Sequence, residues 1–159
     1  MIKPRLEAHD DNLGTRCGAF LLTRFIAAGG FSRVYCGEHQ ATRKVVAIKV
    51  LDTIQAKRKD AETRFLRESK LMAAIAHPNI VGFVDAGVSR DKLWLAMELL
   101  DGQTLRDHLA ESPEGRLSEI EALRIAFEAG CGIAHAQRIG AIHRDIKPEN
   151  IFILRTGVV

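Results

Sequence analysis

The sequence predicts an α+β fold, five strands with one helix set among them and further helices after them. Three observations carry that prediction. Short β-branched and aromatic runs recur through the first part of the chain, as at Val45-Val46-Ala47-Ile48-Lys49-Val50-Leu51. One stretch, residues 61–76, instead repeats the apolar residues Phe65, Met72 and Ile75 at helical spacing. After Gly102 the pattern changes to helices opened by capping sequences, Thr104-x-x-Asp107 and Ser118-x-x-Glu121.

Composition sets the limits of the reading. A chain of 159 residues with 47% hydrophobic and 27% charged residues can bury one core or two small lobes. The net charge of +3 is too small to argue for nucleic acid as a partner. The Lys57-Arg58-Lys59 run has no interleaved aromatic residues and reads as a solvated linker. The three cysteines, Cys17, Cys36 and Cys131, are odd in number and have no metal-ligand spacing, so reduced thiols in the cytoplasm are expected. No apolar core segment follows Lys3 and Arg5, and no run reaches membrane-spanning length.

Each element follows from its residues. The polar lead, with Glu7-Ala8-His9-Asp10-Asp11-Asn12 in it, reads as a flexible or loosely docked extension over residues 1–18. Order is expected to begin at Phe20-Leu21-Leu22-Thr23-Arg24-Phe25-Ile26, a first strand. Ala27-Ala28-Gly29-Gly30-Phe31-Ser32-Arg33-Val34-Tyr35 then gives a turn and a second strand. Small residues there let backbone N–H groups approach a phosphate, although such a turn alone reads first as a plain hairpin. The strand at residues 45–51 is apolar except for Lys49, which must reach water or be paired because an unpaired buried ammonium is costly. In the following helix Glu68 falls on the stripe Phe65, Glu68, Met72; the alternative is a surface glutamate beside Arg64 and Arg67. His77-Pro78-Asn79 breaks that helix, and strands at residues 80–87 and 93–99 follow around the polar turn Ser89-Arg90-Asp91-Lys92. A short helix spans residues 104–110, and a longer one starts at Ser118 with Ile120, Leu123, Phe127 and Ile133-Ala134 expected to face inward.

The chain then reaches His143-Arg144-Asp145-Ile146-Lys147-Pro148-Glu149-Asn150, followed by the apolar run Ile151-Phe152-Ile153-Leu154. A carboxylate, an ammonium and an amide at two- and three-residue steps supply what phosphoryl transfer requires: a proton acceptor, a phosphate clamp and a magnesium ligand. Asp145 would accept the hydroxyl proton of a substrate, Lys147 would face the transferred phosphate, and Asn150 would give its amide oxygen to magnesium. The bland alternative is a solvated loop ahead of a buried strand.

The string HRDIKPEN resembles the catalytic loop of eukaryotic-like (Hanks-type) serine/threonine protein kinases, H-R-D-x-x-x-x-N with lysine two places after the aspartate. Val46-Ala47-Ile48-Lys49 is similar to the family's V-A-I-K, and His77-Pro78-Asn79-Ile80-Val81 to the segment after its αC helix. The glycine turn matches only in part: Ala27 and Ser32 stand where the family has glycine, with Gly29 and Val34 at the second glycine and the valine. If either substituted position needs positive φ, the cost is about 1 kcal/mol. The resemblance covers the chain after about residue 18.

It implies a kinase small lobe over residues 19–98, a five-stranded antiparallel sheet with the αC helix, and the hinge and the start of the large lobe over residues 99–159. It also implies ATP and Mg²⁺ as cofactors and a serine/threonine protein as substrate. By the same resemblance Lys49 pairs with Glu68 and holds the α- and β-phosphates. Ile26, Ala27, Gly29, Gly30, Phe31, Ser32, Val34 and Ala47 would surround the nucleotide. Met97 would be the gatekeeper, and the Glu98 carbonyl and Leu100 N–H would meet the adenine edge. His143 and Arg144 would be scaffold, Arg144 also being available to a phosphorylated activation loop.

The sequence stops at Arg155-Thr156-Gly157-Val158-Val159, ahead of the family's D-F-G, activation loop and A-P-E. A truncated, incomplete kinase with negligible turnover alone is therefore expected, because a metal ligand and the substrate platform are lost together. An uncovered apolar face on the helix from Ser118 would promote self-association. The alternatives are a non-catalytic, pseudokinase-like module that binds nucleotide or a partner, and a small-molecule phosphotransferase of the same fold. Arg144 and Lys147-Pro148-Glu149 favour a protein kinase over the latter.

Overall fold

A computed structural model describes residues 10–30, 32–51, 59–143 and 145–159. These divide into two compact units: Met1–Lys70 with Val84–Leu99, and Leu71–Phe83 with Leu100–Val159. Phe31 and Arg144, both named above for the site, lie outside the described residues, as do Lys57 and Arg58.

The first unit is built on a six-stranded sheet in the order β1-β2-β3-β4-β6-β5. Its strands are β1 Arg16–Cys17, β2 Phe20–Ala28, β3 Ser32–His39, β4 Val45–Leu51, β5 Phe83–Ser89 and β6 Lys92–Glu98. The pairs β1·β2, β2·β3, β3·β4 and β4·β6 are antiparallel. The sheet has one strand more than the five expected. β1 is two residues long, too short to show any alternation in sequence.

Strand alternation divides the sheet's side chains between two faces. One face carries the core, with Tyr35, Val46, Ile48, Val50, Trp94 and Ala96 packed with Cys17, Phe20 and Leu22. Trp94 sits edge-on to Phe20 at 6.1 Å, and its Nε1 donates to Ser89 Oγ at 3.1 Å. The indole fits because two neighbours have no side chain: a Cβ on Gly18 would come within 2.7 Å of it and one on Gly87 within 2.9 Å. The same burial pushes the Cys17 thiol up to about 11, which keeps it a neutral, inert core group at neutral pH.

Helix α1, Lys59–Ala73, lies where helical spacing predicts it, but with a different inward line. Phe65 and Leu66 are half-buried and Ser69 is buried, whereas Glu68 and Met72 are exposed. Ser69 can occupy the inward row because its hydroxyl donates to the Phe65 carbonyl at 2.8 Å, closing its polar group on the helix itself.

The second unit contains the ribbon of β7, Gly102–Thr104, paired antiparallel with β8, Phe152–Leu154. Helix α2, Leu105–Glu111, opens on Thr104, whose Oγ1 accepts from the Asp107 N–H at 3.1 Å. Helix α3, Glu119–Arg138, opens on Ser118, whose hydroxyl accepts from the Glu121 N–H at 3.2 Å. Both caps are the predicted ones. The inward face of α3 is not: Ile120, Leu123 and Phe127 are 82%, 64% and 73% exposed, and Ile125 and Gly132 are the buried positions. Helical spacing finds an apolar stripe but does not say whether anything covers it. His77 is structural: its Nδ1 accepts from the Asn79 N–H at 3.1 Å, and its ring lies 4.9 Å from that of His135.

Among the described residues no helix is long and apolar enough to cross a membrane.

Candidate functional site

Chemistry-bearing residues gather in two places, one in each unit. In the first unit the register of β2, β3, β4 and β6 sets a row of side chains on the face opposite the core. Ala27 pairs with Val34, Val34 with Lys49, and Lys49 with Leu95, while Cys36 pairs with Ala47 and Ala47 with Met97. Directly paired residues of antiparallel strands share a face, so Val34, Ala47, Lys49 and Met97 form one patch. Ala47 is buried, and Val34, Lys49 and Met97 are half-buried. Ile26 falls at a register shift between Phe25 and Ala27 and is exposed. Glu98 pairs with Val46 at the end of the ladder and is exposed, and Leu100, the first residue of the second unit's longer segment, is half-buried.

The turn between β2 and β3 is closed by the Gly29 N–H donating to the Ser32 carbonyl at 2.8 Å. Gly30 has open space where a side chain would stand. Ala27 and Ser32 lie within strands, and neither has positive φ. Their substitution for glycine therefore carries no backbone strain, and the 1 kcal/mol penalty considered above does not arise.

Sequence reasoning brought Lys49 and Glu68 together; among the described residues no ion pair joins them, and Glu68 faces solvent. A long charged side chain stays in water unless a partner repays its ordering. Two members of this patch were missed. Leu95 lies opposite Lys49, and the buried Cys36 accepts from Arg24 Nη2 at 2.9 Å through its Sγ. Period-two counting from Val34 could have found Cys36; Leu95 needed the cross-strand register.

The second place is the loop ahead of β8. Lys147 Nζ lies 2.8 Å from Asp145 Oδ2, and Asn150 Nδ2 donates to the same oxygen at 3.0 Å and to the Asp145 carbonyl at 2.8 Å. The Asp145 N–H donates to His143 Nδ1 at 3.3 Å, so the exposed His143 is tied to the start of the loop. A single 3₁₀ turn, Pro148–Asn150, brings Asn150 back onto Asp145, with proline at its start where the missing N–H costs nothing. The loop is solvent-facing, with the Asp145 and Lys147 side chains 61% and 47% exposed.

Electrostatics follow the geometry. The Lys147 ammonium and then the Asn150 amide hold the Asp145 carboxyl below its ordinary range, and Asp145 in turn raises Lys147. Glu149 is lowered by backbone hydrogen bonding and by Arg106, its ion-pair partner on α2. That pairing, 43 positions apart, has no signal in the sequence. The Leu105 N–H also donates to the Ile151 carbonyl at 2.8 Å, so α2 and the β7–β8 ribbon hold the loop's outgoing end.

An ionised carboxylate fixed by an ammonium and an amide can accept a hydroxyl proton while keeping a positive charge beside it. Both Asn150 bonds use Nδ2, which leaves its Oδ1 for a ligand, and an amide oxygen next to a carboxylate is donor chemistry suited to a hard cation. No cluster of three or more His, Cys, Asp or Glu side chains that could hold a metal occurs among the described residues.

With this geometry in place, comparison with known proteins is decisive. The protein kinase domain model matches residues 20–159. The chain belongs to the protein kinase family. It is 37% identical over 140 residues to the serine/threonine-protein kinase pkn2 of Myxococcus xanthus, covering 88% of this chain and 16% of that protein. It is 36% identical over 140 residues to the serine/threonine-protein kinase PrkC of Bacillus subtilis, covering 88% of this chain and 21% of that protein. The chain thus spans about a fifth of the length of these relatives. Among solved structures it is similar to the kinase domain of Mycobacterium tuberculosis PknI, with a TM-score of 0.74 and 27% identity over 90% of this chain and 58% of that one. These relatives place the resemblance with serine/threonine kinases, and the antiparallel sheet, α1 and the helices after it are the first part of the kinase fold.

Proposed function

We propose that the chain carries the nucleotide-binding and proton-accepting parts of a serine/threonine protein kinase, which transfers the γ-phosphoryl group of ATP to a protein hydroxyl. The observation that carries this reading is the convergence of Lys147 and Asn150 on one oxygen of Asp145. In the proposed reaction Asp145 accepts the proton of the substrate hydroxyl and orients its oxygen for in-line attack. Lys147 stabilises the phosphoryl oxygens as their charge moves, and Asn150 offers its amide oxygen to magnesium. Bound magnesium would supply charge neutralisation on the phosphates. Lys49 binds the α- and β-phosphates beneath the turn made by Ala27, Gly29, Gly30, Phe31, Ser32 and Val34. Ile26, Ala47 and Met97 line the base, with Glu98 and Leu100 at its edge. Glu68 serves this reading only if α1 turns it toward Lys49. A cytoplasmic location and Ser/Thr protein substrates belong to the same proposal.

Nucleotide binding is the property of residues 1–159 to test first. At a hundredfold excess over Kd, MgATP stabilises a folded binder by about 2.7 kcal/mol. The wild-type melting temperature is expected to rise accordingly, and that of Lys49→Ala to stay where it is. No rise in the wild type, or an equal rise in both, would sink the nucleotide reading.

The exposed stripe of Ile120, Leu123 and Phe127 on α3 favours self-association of the isolated chain. Light scattering should then give a mass above the 17.6 kDa of one chain, returning toward it when Phe127 and Leu123 are replaced by serine. A monomer throughout would contradict this.

A further inference from the structure

The kinase match begins at residue 20, yet residues 10–17, upstream of it, already belong to the first unit. Residues 10–17 are held to the sheet of the first unit by a partly buried polar network. Tyr35, on β3, is fully buried, and its hydroxyl donates to Asp10 Oδ2 at 2.8 Å and accepts from Asn12 Nδ2 at 2.8 Å. Asp10 Oδ1 accepts from the Asn12 N–H at 3.0 Å and lies 3.5 Å from Arg33 Nη1, also on β3. Lys92 Nζ donates to Asn12 Oδ1 at 2.6 Å, tying the segment to β6. The Gly14 N–H donates to the Leu22 carbonyl and the Leu22 N–H to the Thr15 carbonyl, each at 2.9 Å, tying it to β2.

These attachments fall on both arms of one turn. β2 and β3 lead into and out of Gly29 and Gly30, so the segment grips the incoming arm at Leu22 and the outgoing arm at Arg33 and Tyr35. Alternation sends Arg33 and Tyr35 to the face the segment covers and sends Val34, between them, to the face it shares with Lys49. A buried tyrosine hydroxyl with both partners made fixes its strand closely, because losing either partner leaves a buried polar group unsatisfied.

We propose that residues 10–15 are a strap that positions the glycine turn from the back of the sheet, with Asp10 and Asn12 as positioning residues for binding the nucleotide's phosphates. The inference rests on the nucleotide-binding reading above and deepens it: the phosphate-binding lobe extends upstream of the kinase match, and any event that lifts the strap weakens MgATP. The polar lead expected to be loosely docked is, from Asp10 onward, part of that lobe.

The test compares Tyr35→Phe, Asp10→Asn and Asn12→Ala in the full chain by calorimetric titration with MgATP and, separately, with adenosine, which has no phosphates. Loss of one net hydrogen bond's worth of positioning predicts MgATP binding weakened about fivefold, with adenosine changed by less than about twofold. A merely structural strap would lower the melting temperature without separating the two ligands. MgATP affinity within about twofold of wild type in all folded variants, or an equal loss for both ligands, overturns the inference. Tyr35→Phe keeps the ring in its pocket and carries the comparison if Asp10→Asn does not fold. A wild-type chain that binds no MgATP defeats the nucleotide reading and the strap with it; normal wild-type binding with unchanged variants defeats the strap alone.

Discussion

Replacing Asp145 by asparagine is expected to lower phosphate transfer to a serine or threonine acceptor by about 10²–10⁴-fold while leaving MgATP binding unchanged, the ordinary contribution of a positioned proton acceptor. Asparagine keeps the size of the side chain and can still bond Asn150, but it cannot take a proton at neutral pH. The measurement needs the large-lobe segment, supplied by joining residues 1–159 to the rest of a relative's kinase domain, with radiolabelled ATP and a protein acceptor. Transfer by the asparagine variant at the unaltered rate would remove Asp145 from the mechanism, whatever its geometry. The pH behaviour follows from the same contacts. Lys147, and after it Asn150, lower the Asp145 carboxyl below 3.8, so the ionised form is favoured by folding. That contribution is present above the unfolded value and is lost as pH falls through the lower folded one. An NMR titration of the Asp145 carboxyl should show a midpoint below 3.8 in the wild type, moving upward in Lys147→Ala; a midpoint that does not move assigns the shift elsewhere.

The second large effect is on stability. Trp94→Ala is expected to cost about 3–5 kcal/mol, the usual cost of deleting a buried large aromatic side chain. Little can collapse into the cavity, since Gly18 and Gly87, which flank the indole, have no side chains to move into it. Trp94 is also in the core with Phe20, and its Nε1 holds Ser89, whose Oγ accepts from the Gly18 N–H as well. Against a total stability of about 5–15 kcal/mol for an ordinary domain, such a loss leaves the first unit marginal. Chemical denaturation of the two chains measures it directly, and a difference under about 1 kcal/mol would mean that the indole is not the centre of this core.

Much of the fold could be read in the sequence because it depends on local patterns. The strand at Val45–Leu51 has the predicted bounds, and Thr104 and Ser118 cap their helices as their neighbours three residues on required. Nor did the loop need distant information, since the contacts among Asp145, Lys147 and Asn150 span at most five positions. Facing was less legible. Phe65, Glu68 and Met72 have helical spacing, yet the helix buries Ser69 and exposes Glu68, because a hydroxyl can satisfy itself on its own backbone and a lone carboxylate cannot.

By itself, then, the sequence determined the order of the longer strands and the helices, the helix caps and the residues of the Asp145–Asn150 loop, all of which depend on neighbours a few residues apart. Only the tertiary structure decided which residues meet across strands: Val34 and Leu95 beside Lys49, Arg106 on Glu149, and Asp10 and Asn12 on Tyr35. The physical reason is that such pairings are set by register and burial summed over the whole sheet, and a polar group such as the Tyr35 hydroxyl takes whichever partner the fold brings within reach once water is excluded.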